Sequence, residues 1–147
     1  LYAIASDPLI WEQHPAKSRA EEEGFRIFFG EAMASGGALL ALDRGTGHVI
    51  GSSRFYGYDE ERSEVEIGWT FLARSHWGGR YNGEMKRLMS RHAFRFVRNV
   101  VFLIAPGNIR SQRAIEKIGA VRIGSRGRDS WGESYLYQLT AASFEQP

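Results

Sequence analysis

Cysteine is absent from the 147 residues. That excludes disulfides, thiolate zinc sites and covalent thiol catalysis together, and it leaves the redox compartment undetermined by cysteine usage. Long apolar runs are missing too: nothing approaches the ~20 residues needed to cross a bilayer, so no membrane span is expected. The four histidines, His14, His48, His76 and His92, contain no pair at metal-ligand spacing, and no metal site is expected. The opening LYAIASDPLIWEQHP lacks the basic stretch and cleavage pattern of a secretory leader, which gives a cytoplasmic expectation. GSSRFYG at 51–57 is not a nucleophile elbow, because it has no G-x-S-x-G pattern. Repeats, linkers and low-complexity segments are absent as well, so residues 1–147 are expected to form one domain.

Acidic residues are scarce in one third of the chain. From Arg80 to Arg128 twelve Lys or Arg face only Glu84 and Glu116, a local balance of +10. The segment before Arg80 carries −5 and the tail after Arg128 carries −3. Such a block suits a polyanionic partner, a phosphorylated cofactor or a nucleic acid, although a solvated helix face accounts for part of it.

Periodicity then orders the elements. Leu1, Ile4 and Ala5 follow helical spacing until Asp7 and Pro8. Residues 20–35 read as a helix with Phe25, Phe28, Phe29 and Ala32 on one side, ended by Gly36 and Gly37. ALLALD at 38–43, the RGTGH turn and the run 49–58 read as a hairpin. In EVEIGWTFLA, Val65 and Ile67 alternate with Glu64 and Glu66, which places both glutamates on one face, opposite the buried one. A helix is expected over 81–98, with Met85, Leu88, Met89, Ala93, Phe96 and Val97 as its apolar stripe and Arg87, Arg91, Arg95 and Arg98 opposite. VVFLIA at 100–105 reads as a central strand buried on both faces, 109–118 as a helix capped by Asn108, and 120–125 and 133–139 as two strands joined through SRGRDSWG. The order implies an α/β fold with a mixed sheet.

The junction 69–85 carries the chemistry. A strand running into a Gly-punctuated turn and then a helix presents unpaired backbone N–H groups and a positive dipole end to an anion. In WGGRYNG, Gly78, Gly79 and Gly83 allow close backbone approach, Asn82 tolerates unusual dihedrals, and Arg80 can pair with phosphate. No Gly-Lys-Ser or Gly-Lys-Thr follows and the run is not G-x-G-x-x-G, so an ordinary tight connection stands beside the functional reading. Trp11, Trp69, Trp77 and Trp131 are candidates to line a pocket, with packing as the commoner use of tryptophan.

EIGWTFLARSHWGGRYNGEM at 66–85 resembles the cofactor loop of the GNAT superfamily of N-acetyltransferases, especially its RimJ and RimL type branch, where a W-G-x-G-Y-A-x-E-A run follows a strand ending E-I-G-W/Y. GNIRSQRAIEKIGAVRIG at 107–124 is similar to that branch's N-x-x-S-x-x-x-x-E-K-x-G-F segment, with Asn108, Ser111, Glu116, Lys117 and Gly119 in register. The likeness spans roughly residues 38–139. It implies the GNAT fold, a mixed, mostly antiparallel sheet whose central strands splay, flanked by helices. It also implies acetyl-CoA as co-substrate, transfer to a primary amine such as a protein N-terminus or a small-molecule amine, and a possible homodimer. The departures lie in the loop: Trp77, Arg80 and Asn82 hold the three defined places of Q/R-x-x-G-x-G/A, so an arginine stands where glycine is expected. The family also opens with a strand; Leu1 falls inside the following helix, and that strand is expected to be absent or replaced.

The resemblance further implies roles. Trp77, Gly78, Gly79, Arg80, Tyr81, Asn82 and Gly83 hold the pyrophosphate, backbone at Trp69, Thr70, Phe71 and Leu72 pairs with the pantetheine arm, and Asn108 contacts that arm or serves only as helix cap. Glu66 is the general base, directly or through water, with Glu64 the alternative and a surface strand residue the plain reading. A base is required because a protonated amine cannot attack a thioester. Ser111 protonates or orients the departing thiolate, unless it only starts the helix; Tyr135 and Tyr137 are other sources of that proton, or packing. Arg113, with Arg110, faces the adenosine 3′-phosphate. A non-catalytic acyl-CoA sensor and a nucleic-acid-binding module are the rival readings.

Overall fold

The computed structural model describes residues 1–127 and 132–145. A four-residue helix α1 (Tyr2–Ala5) and two 3-10 turns (Pro8–Trp11 and Lys17–Ala20) precede helix α2 (Glu22–Ser35), which ends at Gly36 with φ 69°. Only a residue without a Cβ takes that left-handed angle freely, so the helix stops there. Strands β1 (Ala38–Leu42), β2 (Val49–Asp59) and β3 (Glu64–Leu72) form an antiparallel meander. Helix α3 (Tyr81–Ala93), strand β4 (Asn99–Ile104), helix α4 (Ile109–Glu116), strands β5 (Val121–Gly127) and β6 (Glu133–Thr140), and a short α5 (Ala141–Phe144) complete the chain. The sheet order is β1-β2-β3-β4-β6-β5, and β3 with β4 is its parallel pair. This is the expected mixed, mostly antiparallel α/β architecture. The SRGRDSWG link, with Trp131, lies partly outside the described residues.

Two departures at β3 matter most. Its ladder to β4 covers only Glu64 with Asn99, Val65 with Val100 and Glu66 with Val101; beyond those rungs the parallel strands diverge. Its ladder to β2 slips by one residue between Gly68 and Phe71, and Trp69 inside the slip has φ 52°. One extra residue in a strand inverts every later side chain relative to the pleat. Accordingly Ile67 packs with Met89, Val100, Phe102 and Ile115 beside α3 and α4, whereas Phe71 packs with Trp11, Phe25 and Phe28 beside α1 and α2.

Several sequence expectations need correction. Helix α3 ends at Ala93, not residue 98, and tight turns carry the chain to β4. Leu88 is 56% and Phe96 65% exposed, while Lys86 and Ser90 are buried beside Met89 and Ala93. A lysine counted as polar hid the true phase of the stripe. Phe29 is exposed, off the buried side of α2 formed by Phe25, Phe28 and Ala32. Glu64 and Glu66, expected opposite the buried face, are themselves buried, because the β5 arginine Arg126 covers Glu64 and Glu66 folds against Gly68. Strand β4 matches its expectation, with Val100, Val101, Phe102 and Ile104 all buried.

Candidate active site

Three spaces meet where β3 and β4 part. A groove of about 720 Å³ runs past Thr70, Phe71 and Leu72, the turn 77–80, Asn82 and Gly83, and Ser111 and Arg113 of α4. A cavity of about 100 Å³ fills the splay, walled by Gly68, Trp69, Thr70, Lys86, Asn108 and Ser111 among others. On the far side an open space of about 750 Å³ is bounded by His14, Arg54, Tyr56, Trp69 and Ser134 among others. The small cavity shares Thr70, Asn82 and Ser111 with the groove, and His14, Trp69, Leu103 and Ala105 with the far space. It therefore joins them.

The groove is strongly cationic. Arg80, Arg87, Arg110, Arg113 and Lys117 line it, and no carboxylate appears among its described lining residues. Five of the twelve basic residues of the block thus converge here, while Arg91, Arg95 and Arg98 stand exposed on the outside of α3 and its exit turn. Trp77 fixes the turn: its Nε1–H donates to the Leu72 carbonyl at 2.9 Å, and the Arg110 guanidinium lies 3.9 Å from its ring centroid. Gly78, with φ 73°, lets the chain reverse into α3, whose first turn begins at the exposed Arg80. Tyr81 stacks edge-on against His76, itself 3.0 Å from Asp43 Oδ2, so its ring braces the turn. Past Glu66, the edge of β3 that would pair with β4 faces the cleft, leaving main-chain groups open to an extended ligand.

The titratable groups divide into engaged and poised. Glu64 accepts from Arg126 at 2.9 Å and lies 3.9 Å from Arg62, so its charge is spent on an ion pair. Glu66, 6% exposed, lies behind the cavity wall: its Oε1 is 3.1 Å from where a Cβ on Gly68 would stand. Lys86, 5% exposed, lines the cavity, and its Nζ donates to Thr70 Oγ1 at 2.5 Å. Burial pushes its amine down to about 7, against the Glu66 carboxylate, which favours the ammonium. His14, across the cavity, is driven down to about 4 by burial and then by Arg19; its Nδ1 accepts the Ala16 N–H at 2.9 Å.

The remaining predicted residues fall as follows. The Asn108 side chain accepts from the Ser111 N–H at 3.3 Å, so it caps α4 and also walls the cavity. Ser111 borders both groove and cavity. Tyr137 O–H donates to Glu116 at 3.0 Å inside the core, and burial followed by that bond raises its pKa; Tyr135 lies under Arg122. Neither tyrosine is brought to the cleft. Sequence reasoning missed Lys86, His14 and Arg54. Lys86 had a signal: at i, i+3 and i+4 it precedes Met89 and Ser90 on the buried stripe.

A cationic groove, a bulged and splayed parallel strand pair, and a passage to a second space define an α/β protein whose cleft can admit an anionic, extended molecule from one side and a second molecule from the other. The acetyltransferase (GNAT) domain model matches residues 1–121, and the chain belongs to that family, as an acetyl-CoA-dependent acyltransferase. Solved structures share the fold at low identity. A GCN5-related N-acetyltransferase from Brucella melitensis aligns at TM-score 0.82 and 17% identity, over 98% of this chain and 71% of that one. The acetyltransferase (GNAT family) from Bacillus anthracis gives 0.73 and 20%, over 95% and 86%. AAC(6')-Ib in complex with ribostamycin and coenzyme A gives 0.78 and 18%, over 99% and 88%. A search of curated proteins yields no match.

Proposed function

We propose that the protein transfers acetyl from acetyl-CoA directly to a primary amine, with the two substrates entering from opposite sides of the β3/β4 splay. The carrying observation is the continuity of groove, small cavity and far space through shared residues. Two substrates that meet at one point need no acyl-enzyme, and the chain has no cysteine to form a thioester. The co-substrate supplies the activated acetyl group; the chain positions it. The turn 77–83 and Arg113 hold the phosphates, with Arg80 adding charge at the start of α3. The open edge of β3 over 69–72 pairs with the arm, and Asn108 and Ser111 flank the thioester end, where Ser111 assists departure of the thiolate. Glu66 draws the proton off the acceptor from behind the cavity wall, and so acts through an intermediary.

The acceptor is a primary amine, a protein N-terminus or a small molecule. The loop and α4 motifs support the first through their likeness to the RimJ and RimL branch. The ribostamycin held together with coenzyme A by AAC(6')-Ib supports the second for a related fold. Thermal melts with CoA, followed by thiol release from acetyl-CoA across a panel of ribostamycin, spermidine and an Ala-initiated peptide, test the proposal. Stabilisation by CoA and amine-dependent release are expected, and Glu66→Gln should lower kcat/KM at least about tenfold. Stabilisation without turnover on any amine would instead mark an acyl-CoA sensor.

A further inference from the structure

Lys86 is the least expected side chain in the cleft. Helix α3 starts at the phosphate-facing turn and runs past β3, so a residue six positions in is carried to the floor of the splay. There Lys86 donates to Thr70 Oγ1, which lies 2.8 Å from Ser53 Oγ, and its ammonium stands 5.6 Å from the Phe102 ring centroid. Burying a lysine this deeply is costly unless its charge is paired or discharged. Helix packing alone would be served by methionine, and Met85 and Met89 stand on either side of it in the same helix. Of the pair Glu66 and Lys86, the lysine is the one on the cavity wall.

We infer that Lys86 is the proton acceptor of the transfer, the group that takes the acceptor's ammonium proton inside the small cavity while Glu66 behind it supplies the counter-charge. This rests on the reading of Glu66 as the charge that draws the proton out. The bond to Thr70 holds the amine and uses one of its N–H groups as donor, so the lone pair of the neutral amine is not consumed by it. In the step, a proton leaves the substrate's R–NH₃⁺ for the neutral Lys86 amine, giving R–NH₂ and a lysine ammonium beside the Glu66 carboxylate. The freed amine forms the C–N bond as the C–S bond breaks. The second nitrogen proton goes to the departing thiolate, giving CoASH, and Lys86 returns its own to solvent.

The groups facing this amine agree with the assignment. Glu66 on β3 favours the protonated form. His14, from the segment before α2, lines the same cavity and is held neutral, so it adds no opposing charge. Arg54 on β2 lies over Trp69, 4.3 Å from its ring centroid, on the wall of the far space. Strand β4 contributes Phe102 and Leu103, and α4 contributes Ser111, none of them charged. Burial pushes the Lys86 amine down to about 7, toward the neutral range where a general base works best.

The test is the pH profile of kcat/KM with the fastest amine of the panel, for the native enzyme, Lys86→Met and Glu66→Gln. The native profile is expected to rise with a bend near pH 7. Lys86→Met should lose roughly 100-fold in kcat/KM and lose the bend, with stabilisation by CoA unchanged. Glu66→Gln should keep the bend but move it to lower pH, because the carboxylate that favours the ammonium is gone. If Lys86→Met keeps rate and bend while Glu66→Gln abolishes both, Glu66 is the direct base and the inference about Lys86 is overturned. If neither variant alters the profile, the site does not use this pair, and the assignment of Glu66 fails as well. Should Lys86→Met not fold, the absence of native cysteine offers a second route: Lys86→Cys, alkylated by bromoethylamine while unfolded and then refolded, restores a slightly more acidic amine. Recovery of rate supports the inference; a folded, CoA-binding product without recovery overturns it.

Discussion

Gly68 is the residue on which the placement of Glu66 turns. It lies two positions along the same strand face, just before the bulge, and it has no side chain to dispute the space that the carboxylate occupies. A Cβ there would stand 3.1 Å from Glu66 Oε1, tighter than ordinary contact but against the movable end of a side chain. Gly68→Ala should therefore leave the fold intact and displace the carboxylate. We expect the melting temperature to change by only a few degrees and kcat/KM to fall several-fold. Gly51→Ala is the contrasting control, because its Cβ would meet the Phe71 carbonyl oxygen at 2.0 Å and the backbone would have to move. A Gly68→Ala enzyme with native kcat/KM would show that the carboxylate needs no fixed place.

At the scale of elements, the alternation of Glu64 and Glu66 with Val65 and Ile67 was legible because a strand's period is 2, and the helix α4 cap was legible because Asn108 precedes it. The burial of both glutamates was not legible. It depends on Arg126, 62 residues downstream of Glu64, and on a glycine whose empty space matters only in three dimensions. Lys86 was hidden by the same blindness: a stripe drawn through Leu88 and Phe96 is equally periodic, and only the packing of α3 on β3 selects the other phase. The bulge at Trp69 left no sign in composition, since tryptophan rarely takes a positive φ. That strain sits where the strands part, as strained backbone tends to sit at functional positions. The start of α3 carries the sharpest element-scale prediction. Arg80 stands exposed where the helix dipole is positive and where the family's loop has glycine, so its guanidinium adds charge to the N–H groups around it. Arg80→Gly should raise KM for acetyl-CoA several-fold and shrink the stabilisation by CoA, with kcat for bound substrate nearly unchanged. An unchanged or lower KM would mean that the arginine points to solvent.

For the molecule as a whole, the order of elements and the mixed sheet followed from periodicity, whereas the passage through the sheet did not, because it arises from strands that stop pairing. That passage brings two ionisable nitrogens, Lys86 and His14, to one small cavity, each with its pKa lowered by burial. A group whose pKa is lowered on folding binds its proton more readily when unfolded, so it favours folding above its unfolded pKa and loses that contribution as pH falls toward the folded one. For His14 the window runs from 6.5 down to about 4. Protonating it in place would break the acceptance from the Ala16 N–H and set a cation near Arg19. Lys86 acts with the same sign in a higher window, from 10.5 down to about 7. Stability should thus fall on acidification through both windows. Between pH 6.5 and about 4 the slope due to His14 is at most about 1.4 kcal/mol per pH unit, less to the extent that the ring meets solvent. His14→Asn keeps an acceptor for Ala16 but cannot titrate there. Urea midpoints measured across that range should therefore fall less steeply for His14→Asn than for the native chain, and the two curves should approach each other as pH drops. Parallel curves would mean that His14 is solvated well enough to protonate without cost, and that the N-terminal segment does not seal the cavity.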